Sequence, residues 1–468
     1  MLFSSLVFLW LFLPLVLILY RLLPAPCKNA LLLAISLLFY AWGEPKYILL
    51  MLGSITLNYL GGLLLARLRG RAKTAALVLV VAANLALLGY YKYYSFAGDT
   101  LAALLHRQVL PVREIALPLG ISFYTFQAMS YVIDLYRGSI KLQKNWFLLA
   151  LYISFFPQLV AGPIVRYSEV ETQLRSRTAD LTGFCYGIKR FLYGLSKKVI
   201  LSNCFAARAD EVFALAPELV STPLAWLGAL YYTLQIYYDF SGYSDMAIGL
   251  GAMFGFAFPE NFNYPYLSKT VSEFWRRWHM TLSGWFREYL YIPLGGSRNG
   301  QRRTLFNLFV VFLATGLWHG ANWQFVAWGM WYAVLLILER TVLKKPLERL
   351  PAPVTRLYTL VCVVCGWVLF RAPGLRAGVL WLKAMWLPAA GFAAYPAARY
   401  WDGRTLLLLA AGLLLCGPVQ ACLPRLKAAL YDRQRTGPAQ TVCLLALGFA
   451  SLVLLVSGTY NPFIYFRF

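Results

Sequence analysis

TLFNLFVVFLATGLWHGANWQFVAWGMWYAVLLIL, residues 304 to 338, contains no Asp, Glu, Lys or Arg and a single histidine, His319. The flanks on both sides are basic: seven Lys/Arg against two Asp/Glu from Lys269 to Arg303, and five against two from Glu339 to Arg356. If both flanks lie on one side of a membrane, residues 304 to 318 and 320 to 338 form a hairpin with His319 at its turn. The first arm then climbs only about 22 Å at 1.5 Å per residue, short of a hydrocarbon core about 30 Å thick. His319 is therefore expected at membrane depth. An ionisable group there is costly when charged and so marks a functional site, or else it is a neutral histidine bonding a broken helix. Periodicity leaves both readings open.

The same pattern recurs along the chain. Counting the second arm of the hairpin, nine runs of 18 residues or more lack acidic and basic side chains: 2 to 20, 47 to 66, 74 to 91, 115 to 133, 145 to 165, 219 to 238, 320 to 338, 405 to 424 and 436 to 466. Shorter runs at 29 to 43, 246 to 259, 304 to 318 and 357 to 370 suit tilted, re-entrant or core helices. Of 468 residues, 60% are apolar and 13% charged, with a mean hydropathy of +0.61, which excludes an ordinary soluble globule. None of the runs alternates with a period of two, so the expected fold is an all-α integral membrane protein of about ten to thirteen membrane elements.

The formal charge of +24 suggests nucleic acid at first sight, but the basic residues sit in alternate loops, as membrane topology requires, and no nucleic-acid partner is expected. Arg21 with Lys28, then Arg67 to Lys73, then Arg137 to Lys144 place those loops in the cytoplasm and the N-terminus outside. Beyond residue 166 the parity is ambiguous. Residues 183 to 204 carry Lys189, Arg190, Lys197 and Lys198 among apolar side chains, an amphipathic pattern expected at the membrane interface. The first run lacks a basic leader and a small-residue cleavage site, so it is expected to remain as a helix. The eight cysteines are scattered, and Cys362 with Cys365 reads as helix packing. With no repeat or soluble insert, residues 1–468 read as a single polytopic membrane domain.

FWRRWHMTLSGWFREYLYIPLGG, residues 274 to 296, if helical, gathers Trp275, Trp278, His279, Leu282, Trp285, Phe286 and Tyr289 on one face, with Arg276, Arg277 and Arg287 away from it. His279 is then either a satisfied residue of an interfacial helix or part of a site. Asp239 and Asp245 lie between apolar runs around a Ser241-Gly242 break; six residues apart, they do not share one face of an unbroken helix. They cap helices or orient a histidine. Asp134 is expected to pair near the membrane surface. Gly295 to Gly300 with Arg302 and Arg303 reads as a plain loop or as a cradle for phosphates. Three histidines without HExxH or an acidic cluster point to no metal, and no GxxxxGK[ST] loop is present.

At these residues the chain resembles the membrane-bound O-acyltransferase family, in its bacterial alginate O-acetylation branch. The resemblance runs from Met1-Leu2-Phe3-Ser4-Ser5 and Phe39-Tyr40-Ala41-Trp42 through Gly120 to Gln127 and Ala161 to Tyr167. It continues over the Asp239 and Asp245 segment and both histidine segments to Phe463-Ile464-Tyr465-Phe466. It implies a ring of tilted helices around a central tunnel, with a catalytic core at about 115–340. It also implies acyl transfer from a cytoplasmic thioester to a hydroxyl, His319 matching the principal catalytic histidine and His279 the second conserved polar position. Asp239, Asp245, Trp318 and Asn322 would support them, and Arg276, Arg277 and Arg287 would attract the donor's phosphates.

The expected donor is acetyl-CoA, a substrate, with no bound cofactor. The expected acceptor is an extracytoplasmic polysaccharide, and the expected location is a bacterial cytoplasmic (inner) membrane, crossed many times. Family members of this branch hand acetyl groups to an extracytoplasmic SGNH-hydrolase-like partner. The chain lacks a Gly-Asp-Ser block of its own, Gly98-Asp99-Thr100 being the nearest, so such a partner is expected. The alternatives are D-alanyl transfer to teichoic acid from a carrier protein and, in a different class, a transporter or flippase, which intramembrane Asp and His also suit.

Overall fold

The computed structural model describes residues 2–387, 395, 397–458 and 460–464. Met1, Tyr465 and Phe466, part of the stretches that carry the family resemblance, lie outside the described residues. Every regular element among the described residues is helical, apart from an isolated bridge between Val220 and Tyr395. Five helices are long and apolar enough to cross a membrane: Ala25–Gly43, Ile48–Arg67, Gly70–Leu105, Ala352–Arg371 and Pro438–Ser457. Four runs expected to cross are shorter as helices, among them 2 to 20, which forms Phe8–Leu22, and 405 to 424, which forms Gly403–Leu415. The 145 to 165 run divides into Trp146–Ser154 and Phe156–Leu159 at an extended Phe155, next to Pro157, which has no N–H to continue a ladder. The 115 to 133 run becomes helical only from Ile121, after Pro118 and a left-handed Gly120. A Cβ at Gly120 would sit 2.7 Å from the Leu159 carbonyl.

The chain divides into two compact units. One comprises residues 1–191 and 246–259. Within it, Ile48–Arg67, Gly70–Leu88 and Ile121–Arg137 pack against one another. Apolar burial drives little helix association in lipid, so close contact and polar pairing carry more of the work. Asn58 and Asn84, both buried, exchange reciprocal amide hydrogen bonds of 2.9 and 3.0 Å across two of these helices. Elsewhere in this unit Phe3, Phe8, Phe12, Phe39 and Phe156 pack on one another in edge and tilted contacts.

The other unit comprises residues 192–245 and 260–468. The expected hairpin forms, as Gly300–His319 and Trp323–Arg340. Two glycines let its arms touch: a Cβ on Gly316 would lie 2.3 Å from the Phe325 carbonyl oxygen, and one on Gly329 would lie 2.4 Å from that of Phe312. Ala352–Arg371 packs on the second arm, with buried Cys362 and Cys365 as free thiols in its interior.

Thr222–Met253 runs as one helix of 32 residues, so the expected Ser241-Gly242 break does not occur. Gly242 serves close approach instead: a Cβ there would be 2.7 Å from the Gly194 carbonyl oxygen. Residues 183 to 204 are likewise not a surface amphipath. They form Leu181–Ser196 and a wider turn, Lys197–Ser202, in which Lys189, Arg190 and Lys198 are buried. Lys198 tolerates burial because a carboxylate faces it. Its Nζ lies 2.6 Å from Asp239 Oδ1 and also donates to the Pro462 carbonyl. The chain's last described residues are pinned there: Ile464 N–H donates to Asp239 Oδ2 at 2.8 Å, and Phe463 stacks on Tyr243 at 4.7 Å.

Candidate functional site

All three segments that carry chemistry in the sequence have residues in the second unit. His279 does not lie on a continuous helix. Val271–Arg277 ends, Trp278 is extended, and His279 takes a left-handed conformation (φ 44°, ψ 53°) before Met280–Phe286 begins. A non-glycine residue in that region costs energy that its surroundings must supply, and such residues concentrate at functional sites. The shared aromatic face expected over residues 274 to 296 is thus interrupted, and it is interrupted at the histidine.

The surroundings are specific. Asn261 Oδ1 accepts the Thr281 backbone N–H at 3.3 Å and the Thr281 hydroxyl at 3.0 Å, and it lies 3.1 Å from His279 Nδ1. Asn261 Nδ2 donates to Ser244 Oγ at 3.1 Å. Because a backbone N–H can only donate, the Asn261 atom facing His279 is the oxygen. In the neutral ring Nδ1 therefore carries the proton, and Nε2 keeps its lone pair. Nε2 is buried and has no hydrogen-bond partner among the described residues.

His319 ends the first arm of the hairpin and is 6% exposed. Its walls are aromatic: Trp328 at 5.0 Å, Phe370 at 5.2 Å and the adjoining Trp318 at 4.9 Å between ring centroids. Trp318 also faces His279 at 6.0 Å, so one indole adjoins both imidazoles. From His319 the aromatic wall continues through Trp328 to Trp275 at 5.6 Å and Tyr332 at 5.2 Å. Trp275 Nε1, Trp328 Nε1 and Tyr332 Oη are buried donors without partners among the described residues. Buried polar atoms are nearly always bonded, so these donors beside an imidazole are open to a water or another polar partner.

The other expected residues divide. Asp239 and Asp245 pair with consecutive lysines, Asp239 with Lys198 and Asp245 with Lys197 at 2.6 Å. On the unbroken helix they point in different directions and serve different partners. Phe240, next to Asp239, packs edge-on against His279 at 4.6 Å. Asn322 caps the second arm, its Oδ1 accepting the Gln324 N–H at 3.4 Å, and it is exposed. The three arginines do not converge. Arg277 pairs with Glu273 at 2.6 Å, and Arg287 reaches Glu288 at 3.6 Å with 71% of its side chain exposed. Arg276 instead lines a separate basic cleft with Lys269, Arg340 and Lys344. Partial burial pushes the Glu273 carboxyl up, but the Lys269 N–H and the Arg277 guanidinium outweigh it and hold it below its ordinary range.

Sequence reading missed Asn261, Lys197 and Lys198 as partners of the site residues. The two lysines stood in plain view as an adjacent pair, and two aspartates in an apolar run needed two cations. Nothing in the local sequence around Asn261 distinguishes it, since its side-chain partners lie 17 to 20 residues away.

Comparison with known proteins bears on this arrangement. A family model described as MBOAT, membrane-bound O-acyltransferase family, matches residues 144–345, a span that includes both histidines. "Probable alginate O-acetylase AlgI" of Pseudomonas putida is 40% identical over 491 aligned positions, covering 100% of this chain and 100% of its own length. The protein of the same name from Pseudomonas aeruginosa is 46% identical over 82% of this chain and 75% of its own length. A "Peptidoglycan O-acetyltransferase" of Helicobacter pylori is 37% identical over 82% of this chain and 80% of its own length.

Proposed function

The chain belongs to the membrane-bound O-acyltransferase family, and from that premise we propose that it moves acetyl groups from cytoplasmic acetyl-CoA for O-acetylation of an extracytoplasmic polysaccharide. It is an O-acyltransferase and a multi-pass membrane protein. The polysaccharide reading draws on relatives named for alginate and peptidoglycan. In this reading about ten to thirteen helices ring a central tunnel in a bacterial cytoplasmic membrane, with the N-terminus outside. The catalytic core at about 115–340 is supported by the family match over 144–345.

The observation that carries the chemistry is the placement of both imidazoles against Trp318 in a buried aromatic wall. A thioester is already activated, so the site needs little beyond a base and a positioned acceptor. His319 takes the proton from the attacking hydroxyl as its oxygen bonds to the acyl carbon. The carbon–sulfur bond breaks, and the proton passes to the departing thiolate, leaving an ester and free coenzyme A. His279 supports the step: its unpartnered Nε2 accepts a hydrogen bond from a second donor group of the acceptor and so turns the attacking hydroxyl toward the carbonyl. The buried donors on Trp275, Trp328 and Tyr332 adjoin His319 along the aromatic wall, where a polar group of the donor or acceptor would meet them. The onward step uses a separate SGNH-hydrolase-like protein on the outer side.

The test is transfer of radiolabel from acetyl-CoA in proteoliposomes, wild type beside His319→Ala, with monodispersity checked by size exclusion. Coenzyme A release or labelled acceptor that vanishes in the variant supports the reading. Label handling unchanged by the variant removes His319 from the mechanism. No turnover even with partner protein and glycan supplied shifts the donor to a carrier-protein thioester.

A further inference from the structure

An indole N–H donates a hydrogen bond and cannot accept one, so a buried indole is satisfied only by an acceptor brought to it. Two indoles of the second unit have theirs in the backbone. Trp226 Nε1 donates to the Met385 carbonyl at 2.7 Å, and Trp331 Nε1 to the Cys362 carbonyl at 2.9 Å. Trp328 differs. It is fully buried, and its Nε1 has no hydrogen-bond partner among the described residues.

Its place is set by the hairpin. Trp328 lies on the second arm and His319 ends the first, with their ring centroids 5.0 Å apart and their planes at 83°. The close approaches at Gly316, three residues before His319, and at Gly329, directly after Trp328, leave the arms no room to slide. Backbone contact thus holds the imidazole and the indole at one separation. Phe370 at 5.2 Å and Trp367 at 6.2 Å close on the indole as well, and they bring no formal charge.

The neighbouring donors are placed differently. The Tyr332 hydroxyl ends against the helix Ala352–Arg371, where a Cβ on Gly366 would lie 2.6 Å from its Oη. Trp275 packs edge-on against both Trp328 and Tyr332, at 5.6 and 4.9 Å. Trp328 is therefore an unpartnered donor in ring contact with the imidazole itself.

Acyl transfer creates the acceptor that this N–H lacks. As the hydroxyl oxygen bonds to the acyl carbon, its proton goes to His319 and the carbonyl π pair moves onto the carbonyl oxygen, which becomes an anion. When the carbonyl re-forms, the carbon–sulfur bond breaks, the sulfur leaves with the electron pair, and His319 returns the proton to it. In between, a negative charge stands in aromatic surroundings beside the base. A fixed donor there stabilises it far more than the same donor would in water. We propose that Trp328 is a catalytic residue of this reaction, its Nε1–H donating to the acyl carbonyl oxygen and holding the charge as the hydroxyl adds. This rests on the acyl-transfer reading and extends it from the base to the oxyanion.

The full chain in proteoliposomes, supplied with partner protein and glycan, is given acetyl-CoA or its dithioester analogue, in which C=S replaces the acetyl C=O, and coenzyme A release is followed. Sulfur is a weak acceptor, so an enzyme that donates to this atom prefers the oxygen donor. Trp328→Phe should lower kcat for acetyl-CoA by about a hundredfold with little change in KM, and should narrow the oxygen-over-sulfur preference by about tenfold or more. That preference is a ratio of two rates of one preparation, so partial misfolding does not move it. Benzothienylalanine at position 328, with sulfur in place of the indole N–H, removes the donor while keeping the ring's shape, and should narrow the preference likewise. Trp331→Phe, whose N–H is spent on Cys362, should leave the preference at its wild-type value. A wild-type preference in both position-328 variants, or equal narrowing in Trp331→Phe, overturns the proposal while the role of His319 stands. No coenzyme A release by the wild type overturns the acetyl-CoA reading and this proposal with it.

Discussion

Asn261 Oδ1 lies 3.1 Å from His279 Nδ1 and accepts the Thr281 backbone N–H with the same atom. The amide is thereby locked in one orientation and dictates which imidazole nitrogen holds the proton. Asn261 is a positioning residue, and removing its oxygen frees the ring to turn or change tautomer. Asn261→Leu should lower kcat by about tenfold or more with little change in KM for the donor, the scale seen when partners orienting a histidine are lost. Asn261→Asp, which keeps an acceptor at the same place, should recover much of the rate. Equal loss in both variants would argue for a purely structural role.

The Lys198–Asp239 pair is 1% exposed at both ends. Breaking one side of such a pair strands the other charge, so Lys198→Met should destabilise by about 3–5 kcal/mol. Lys198→Met/Asp239→Leu removes both charges and should be more stable than either single variant. Thermal unfolding of detergent-purified protein measures the order.

Gly316→Ala places a methyl 2.3 Å from the Phe325 carbonyl oxygen, an atom that cannot swing aside. The hairpin arms must separate, at a cost of about 1–3 kcal/mol, and His319, three residues on, moves with them. Gly53→Ala is the control. It meets nothing within 4 Å and sits in the helix Ile48–Arg67, where alanine should be neutral or stabilising. A similar fall in Tm for both variants would contradict this account.

The Glu273 carboxyl is held below its ordinary value of 4.5 in the folded protein. The unfolded chain binds the proton more tightly, so the stabilisation is fully present above 4.5 and is lost as pH falls through the lower folded value. Unfolding of wild type and Glu273→Gln compared from pH 7 to pH 3 should show a gap that narrows toward the acid end. A gap constant with pH would assign the effect to packing.

The hairpin, the helical class and the position of His319 at a turn were legible from residues 304 to 338, because in lipid an uncharged run and its basic flanks leave few alternatives. The breaks were less so. Ser241-Gly242 reads as an interruption, yet the helix runs through it because Gly242 is there for close packing on Gly194. His279 reads as one position on a helix face, yet it is the point where that helix stops, since Asn261, distant in sequence, captures both its ring and the next turn. Lys189, Arg190 and Lys198 look amphipathic because a linear pattern does not reveal which cations will meet buried acceptors.

The anchoring of Pro462 and Ile464 on Lys198 and Asp239 has a consequence for biogenesis. The hydrogen bonds join residues 264 and 225 positions apart, so the groups made first must wait for partners made more than 200 residues later. Until residues 462 to 464 have emerged from the ribosome, neither the Pro462 carbonyl nor the Ile464 N–H is available to Lys198 and Asp239. Docking of residues 462 to 464 is therefore a late step in the maturation of this unit, and nascent chains stalled shortly before residue 462 should remain protease-sensitive around the Lys197–Ser202 turn.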